Sequence, residues 1–170
     1  QYLDCNVVQY DEYGWGLLAV DKAANLITRN DGQEYIIDEL NLVENDSIVI
    51  KVNSDGLSPL VATICWNDVP GNPAPISLNP EDLMLVNDLD MRIYDSDENE
   101  YLPWILDPEN PDNGATFGDN FRDNVEKIEI TEPVAGEYTI VIKHKNELRN
   151  GNQDFSLIVS ASSLNLDLQT

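Results

Sequence analysis

The chain has 170 residues, enough for one domain with a true hydrophobic core, and its 42% apolar content is too high for a disordered protein. Nine Lys and Arg residues face 32 Asp and Glu residues, which gives a net charge of −23. Such an acidic surface repels phosphate backbones and anionic lipid, so we expect neither a nucleic-acid nor a membrane partner. It suits cation binding, or solubility in a salty or extracellular medium.

No apolar run approaches the roughly 20 residues needed to span a bilayer. No basic and then apolar signal segment opens the sequence either. We therefore expect a mature segment, or an excised piece of a longer protein.

Residues 14–27, GWGLLAVDKAANLI, predict the one convincing helix, with bounds of about 16–28. Polar residues at 30–32 then end it. A helix this short must pack on a partner, either a preceding domain or the barrel itself. The apolar residues at helical spacing are Leu17, Val20, Ala24 and Ile27.

From residue 33 the pattern changes to seven or eight short strands separated by turn signals. This pattern predicts an all-β fold, an antiparallel β-sandwich or jelly roll over residues 33–162, with a tail or linker at 163–170. The isolated helix does not belong to that architecture, so we interpret residues 1–32 as a remnant of something upstream. The apolar residues that alternation groups on one face of each predicted strand are Ile48, Ile50, Val52, Leu60, Ala62, Ile64, Trp66, Leu89, Met91, Ile93, Tyr138, Ile140, Ile142, Phe155, Leu157 and Val159.

One predicted strand, in LMLVNDLDMRIYD at 83–95, is unusually rich in acids. Asp88 and Asp90 project to the same side, because they are two residues apart on a strand. Like charges so placed repel each other unless a cation lies between them. Either solvent separates them, or something positive holds them, and Arg92 on the same face is one candidate.

Glu126 is a stronger candidate for a buried acid than Asp88 or Asp90. It shares strand parity with Ile128 and Ile130, so a regular strand points it inward. A buried carboxylate must be paired, protonated or metal-bound. Calcium takes about six to eight oxygen ligands, and oxygens could converge if the strands of Asp88 and Glu126 are neighbours. The candidate calcium ligands are Asp88, Asp90, Asp119, Asp123, Asn124 and Glu126.

Two alternatives to calcium stay open at these residues: an arginine–carboxylate network, with Arg122 as a further partner, and plain solvation. The acidic run DSDENE at 95–100 lacks the spacing of an EF-hand loop, and we interpret it as a hairpin turn.

Other residue types each allow more than one interpretation. Cys5 and Cys65 could pair, but a buried free thiol at Cys65 is at least as consistent with the pattern. Tryptophans such as Trp66 and Trp104 fit core or interface anchors better than a carbohydrate platform. The segment YLPWILDP at 101–108 either plugs one end of the barrel or docks on another domain.

Several stretches together resemble a known family. GWGLLAVDKAANLI resembles the last helix of the catalytic domain of subtilisin-like serine peptidases. The β region is similar to the β-barrel domain that follows the catalytic domain in one branch of these peptidases, and in outline to the proprotein-convertase P domain. The matching stretches are LVATICWND at 60–68, LVNDLDMRIYD at 85–95, FRDNVEKIEI at 121–130, AGEYTIVIKH at 135–144 and QDFSLIVS at 153–160.

The resemblance implies a non-catalytic domain of a secreted or cell-surface subtilisin-like serine endopeptidase. Such a domain braces its own upstream catalytic domain, often holds calcium, and meets the protein substrates of the parent peptidase. The chain itself departs from the catalytic pattern, because the Gly-Thr-Ser-Met-Ala motif is missing and His144, which we expect at the surface, is its one histidine. We expect no enzyme activity from it. The alternative is a free-standing adhesion or carbohydrate-binding β-sandwich.

Overall fold

The computed structural model describes residues 19–29, 35–78, 82–110 and 112–161, and the backbone of 168–169. The helix is α1 (Val20–Thr28), and the strands are β1 (Tyr35–Val43), β2 (Ile48–Ser54), β3 (Leu60–Trp66), β4 (Leu89–Tyr94), β5 (Glu100–Tyr101), β6 (Trp104–Ile105), β7 (Thr116–Phe117), β8 (Val125–Ile130), β9 (Gly136–His144), β10 (Asn152–Ser160) and β11 (Leu168–Gln169). A 3₁₀ turn at Arg149–Gly151 precedes β10.

The strands form an antiparallel sandwich with nested pairing. β1 pairs with β10, β2 with β9, β3 with β8, and β4 with β5. This long folded hairpin is rolled up, so that the two layers have the strand orders β1-β10-β3-β8 and β11-β2-β9-β4-β5. The rolled double strand is the topology of a jelly roll. The predicted fold class is therefore confirmed.

The core lies between the two layers and follows the period of two that the sequence shows. Ile50, Ile64, Met91 and Ile140 are fully buried, and the other apolar residues that the sequence groups on the same strand faces also belong to the core or pack against it. Alternation places these side chains on the facing surfaces of the two sheets. Burial of this continuous apolar layer is the main stabilising term of the fold.

The apolar face of the helix is exposed. The described part of the helix begins at Val20, and Leu17 lies outside the described residues. Val20 and Ile27 are 66% and 67% exposed, so of the two partners that the sequence left open, the barrel does not cover this face. Leu26 is the buried residue of the helix, and it is not part of the main core. The spacing located an apolar face correctly, but the sandwich does not cover it.

Two loop predictions have different outcomes. The hairpin turn after β4 is confirmed, because Asp95 accepts hydrogen bonds from the backbone of Asp97 and Asn99 and from the side chain of Asn99. The C-terminal tail prediction missed β11, whose Leu168 and Gln169 pair with β2. Within the described residues, no helix is long and apolar enough to cross a membrane.

The long connection from β3 to β4 is closed at its base by one carboxylate. Asp68 accepts hydrogen bonds from the backbone N–H groups of Val69, Val86 and Asn87 at 2.8, 2.6 and 2.9 Å. The Trp66 indole donates to the Asn87 carbonyl at 2.9 Å, which makes this tryptophan a core anchor. The entry to β4, where the acidic residues begin, is thereby fixed in place.

Candidate functional site

Glu126 lies where the two sheets meet. It is 0% exposed and shares the inner face of β8 with Ile128, as its parity predicts. Its Oε2 accepts a hydrogen bond from the backbone N–H of Met91 on β4, at 2.6 Å. β5 pairs with β4 only at Ile93 and Tyr94, so the side chain supplies the acceptor that a neighbouring strand would otherwise provide.

The carboxyl group of Glu126 is protonated at neutral pH. Burial, reinforced by the nearby Asp90, raises its pKa from 4.5 to about 8, although the Met91 hydrogen bond and the cations Lys145 and Arg92 oppose the rise. Oε1 is buried and has no hydrogen-bond partner. The proton removes one negative charge from a crowded group of acids.

Lys145 is the central cation of this group. Its Nζ lies 2.7 Å from Asp119 Oδ1, 3.4 Å from Asp90 Oδ1 and 3.5 Å from Asp88 Oδ1. It also donates a hydrogen bond to the carbonyl oxygen of Asn120 at 2.8 Å. Burial alone would lower the pKa of Lys145, but the bond to Asp119 and the charges of Asp88 and Asp90 outweigh it and raise the pKa. The ammonium is thus held firmly in its charged form.

Arg92 is the second cation. Its Nη2 donates to Asp119 Oδ1 at 2.6 Å and its Nη1 donates to the Met91 carbonyl at 2.8 Å. Nη1 also lies 2.7 Å from Asp90 Oδ1, yet that oxygen accepts no hydrogen bond, so we treat this contact as ionic. The bonds from Lys145 and Arg92 lower the pKa of Asp119 despite its partial burial.

The structure brings together only part of the predicted ligand set. Asp88, Asp90, Asp119 and Glu126 surround the two cations and form what we call the seam cluster. Burial raises the pKa of Asp88, and the nearby Lys145 only partly opposes this. The Arg92 network that the sequence left open as an alternative is present.

Asp123 and Asn124 have other neighbours. Asn124 is exposed and its amide donates to the Trp66 carbonyl at 2.5 Å, while Asp123 Oδ2 lies 3.4 Å from the Asn120 amide. Arg122, the arginine considered as a further partner, is exposed and its guanidinium lies 5.8 Å from the ring centroid of Phe121. These residues form the rim of the loop before β8, while Asn120 connects that loop to the seam cluster.

Sequence reasoning missed Lys145 and Asn120. The register pairs Asp90 with Lys143 and Leu89 with His144, and the Lys145 N–H then donates to the Asp88 carbonyl at 3.0 Å. A strand-pairing hypothesis for β4 and β9 would have placed Lys145 beside Asp88. Nothing in the sequence marks the Asn120 carbonyl.

Within the described residues, no three His, Cys, Asp or Glu side chains are grouped so that they could hold a metal ion. Asp119 Oδ1 and Asp90 Oδ1, which calcium would need, face Lys145 and Arg92 instead. Calcium binding therefore stays a prediction, and side-chain cations offset part of the negative charge of the cluster.

His144 is half-buried at the end of β9. Its Nε2 accepts a hydrogen bond from the Asn45 N–H at 2.8 Å, and its Nδ1 lies 2.6 Å from the Asn146 carbonyl, to which it donates. One neutral tautomer satisfies both bonds. The ring therefore supports the turn between β1 and β2, where Asn45 has a φ of 64°.

Cys65 lies on the outward face of β3 and is exposed, so the expectation of a buried thiol is wrong. Ile64 and Trp66 have the opposite parity and point inward. Cys65 lines a cavity of about 380 Å³ together with polar residues of β10. Cys5 lies outside the described residues, and its pairing with Cys65 stays a prediction.

The segment 101–108 divides between two roles. Tyr101 packs on the core, with its ring centroid 6.3 Å from that of Tyr138. Trp104 packs on Phe117 across the β6–β7 hairpin, with ring centroids 4.1 Å apart. The first part packs on the core, and the second presents an aromatic pair at the surface.

Comparison with known proteins adds no identity. No protein-family model matches the chain, and no curated protein matches it.

Proposed function

We propose that the chain is a non-catalytic accessory domain of a secreted or cell-surface subtilisin-like serine endopeptidase. The jelly roll braces the catalytic domain that precedes it and stands beside the protein substrates of the parent peptidase. The exposed apolar face of α1 carries the proposal. Val20 and Ile27 lie on that face, and the sandwich does not cover them.

The helix is too short to be stable alone, since isolated helices of fewer than about 12 residues are marginal in water. Its end approaches the sandwich through Arg29, whose guanidinium lies 5.3 Å from the ring centroid of Tyr35. A second partner for the apolar face would complete its burial. In the resemblance stated above, that partner is the catalytic domain from which the helix comes.

The chemistry of the described residues supports a non-catalytic role. Both ring nitrogens of His144 are engaged in backbone hydrogen bonds, so the ring has no nitrogen available as a general base for a serine. The carboxylates of the seam cluster face Lys145 and Arg92 rather than an open cleft. Its groups hold the two sheets in one alignment.

The test compares two longer proteins, each expressed with the residues encoded upstream of Gln1. One has the parent sequence, and the other carries Val20→Ser and Ile27→Ser. We expect the double variant to lose its casein-hydrolysing activity faster than the parent at elevated temperature, which is measured as a shorter half-life of that activity. A matched control carries Leu57→Ser and Val134→Ser, which are also exposed apolar positions. Equal half-lives for both variants and the parent would contradict the proposal. So would casein hydrolysis by the 170-residue chain alone.

A second candidate, a carbohydrate-binding module, is favoured by the surface pair Trp104 and Phe117, because Phe117 is 56% exposed. Sugars stack on exposed aromatic rings of this kind. A glycan array probed with the parent chain and with Trp104→Ala separates the two functions. Binding that the variant loses would support the module, and the absence of binding would reject it.

A further inference from the structure

The connection between β3 and β4 leaves the sandwich through a closed neck. Asp68 accepts hydrogen bonds from three backbone N–H groups at the base of this neck, and Arg149 Nη1 donates to the Pro70 carbonyl at 2.7 Å. A Cβ on Gly71 would lie only 3.1 Å from the Met84 carbonyl oxygen, so the two arms of the loop are in close contact there. A change in the loop beyond the neck therefore leaves the ends of β3 and β4 in place.

Residues 72–78, beyond the neck, are open to solvent. They form no helix or strand, and no hydrogen bond joins them to the described part of the chain. Ile76 is fully exposed and Leu78 is 92% exposed. Pro73 and Pro75 fix their own φ and favour an extended conformation in the residue before each of them. The stretch is therefore an accessible, extended strip that carries two aliphatic side chains.

The connection 106–115 is also at the surface, but hydrogen bonds hold its described part in turns. Asp107 accepts hydrogen bonds from the Glu109 N–H at 3.1 Å and from the Asn110 side chain at 2.9 Å. The Asn110 N–H donates to the Asp107 carbonyl at 3.1 Å, and the Asn113 N–H donates to the Asn110 carbonyl at 2.9 Å. A cleft that binds extended backbone fits residues 72–78 better than these turns.

We propose that residues 72–78 are a processing site, at which an endopeptidase with an aliphatic-binding pocket cuts the chain and leaves one folded domain of two fragments. Proteolytic nicking concentrates at exposed loop tips of this kind. The cut consumes one water molecule. The peptide C–N bond breaks, the carbonyl carbon gains the hydroxyl, the nitrogen gains the hydrogen, and proton transfer then leaves a carboxylate and an ammonium as the new chain ends.

The strand pairing explains why the fragments stay together. A cut beside Ile76 separates β1, β2 and β3 from the later strands. In the described sheets these three strands do not pair with one another, because β1 pairs with β10, β2 with β9 and β11, and β3 with β8 and β10. Ile50 and Ile64 of the first fragment share the core with Ile140 of the second. The fragments can therefore separate only if both sheets open.

The experiment digests the full 170-residue chain briefly with thermolysin, which cuts on the amino side of large aliphatic residues, and identifies the fragments by mass spectrometry. Within residues 35–160 we expect the first cut before Ile76 or Leu78. The two fragments should elute together at the parental volume in size-exclusion chromatography. The thermal midpoint of the cut domain should rise with protein concentration, unlike that of the uncut chain, because unfolding then separates two chains.

Ile76→Ser with Leu78→Ser should slow this cut at least about tenfold, since even one methylene in an apolar specificity pocket changes the rate by about that factor. Leu57→Ser with Val134→Ser, at exposed apolar positions in other turns, is the matched control and should keep the parental rate. The proposal does not depend on the accessory function. A first cut elsewhere within residues 35–160, fragments that elute separately, or a double variant cut at the parental rate would each overturn it.

Discussion

Replacing Glu126 with Gln tests the protonation state at the seam between the sheets. The amide has the shape of the protonated carboxyl, keeps an acceptor for the Met91 N–H, and places an N–H donor where the carboxyl proton lies. The variant therefore keeps the neutral form of the side chain at every pH. We expect Glu126→Gln to be more stable than the parent at neutral pH.

The magnitude follows from the pKa of Glu126, which is about 8 in the folded protein against an ordinary value of 4.5. Between these values the folded state holds a proton that the unfolded state has released, so stability falls as pH rises. Each pH unit costs about 1.4 kcal/mol. The stability that proton binding by Glu126 contributes is fully present below pH 4.5, is reduced by about 3 kcal/mol at pH 7, and is lost above about pH 8.

The assay is urea unfolding of the parent and of Glu126→Gln at pH values from 5 to 9. The two free energies of unfolding should diverge as pH rises, and the gap should reach about 3 kcal/mol at pH 7. Some slope will remain in the variant, because the pKa of Asp88 is also raised by burial. Glu129→Gln, three residues along β8 and paired with Lys127, is the matched control and should keep the parental slope.

If Glu126→Gln proves less stable than the parent at pH 7, and both lose stability in parallel as pH rises, the carboxyl is ionised in the folded protein. The reasoning from burial would then be refuted. Glu126 would then be an ionised carboxylate whose charge is stabilised by Lys145 and Arg92.

Three further changes test other parts of the structure. Asp68→Ala leaves three backbone N–H groups without their acceptor, and we expect a loss of about 2 kcal/mol in urea unfolding; a loss below about 0.5 kcal/mol would show that the loop base closes without it. Tyr138→Phe removes an OH that bonds both the N–H and the carbonyl of Val134, and should cost about 1–2 kcal/mol by the same measurement. Val20→Ser with Ile27→Ser should change the stability of the 170-residue chain by less than about 0.5 kcal/mol, since both side chains are exposed; a larger loss would mean that this face packs within the chain.

The sequence was sufficient for the sandwich because alternation in a strand depends on local pattern alone. Ile50, Ile64 and Ile140 each follow a period of two, and each is fully buried. The same parity placed Glu126 inside the fold. Pairing order cannot be obtained in this way, since the nesting of β1 with β10 and of β2 with β9 joins residues more than 80 positions apart.

The candidate site was harder to predict, for the same reason. Asp88 and Asp90 were recognisable because two acids on one strand face need a counter-charge. Their partner Lys145 lies beyond the end of β9, next to a histidine that marks a strand end, and only the β4–β9 register brings it near. The acidic side chains of Asp88 and Asp90 predicted that a cation lies nearby, whereas the strand topology determines that this cation is Lys145.

The seam cluster explains how this jelly roll holds its sheets in register at a corner where no strand pairing is available. An apolar contact there would tolerate sliding, because apolar packing is not directional. The bond from Met91 to Glu126 requires one alignment of β4 against β8, and the contacts of Lys145 require one alignment of β9 against the loop before β8. A slip of one residue on β8 would turn Glu126 to the outer face and leave the Met91 N–H without an acceptor. Buried ionic groups contribute little net stability compared with apolar packing. We therefore infer that the cluster contributes mainly to the choice of register, and that two cations and one proton reduce the charge of its four acids to −1.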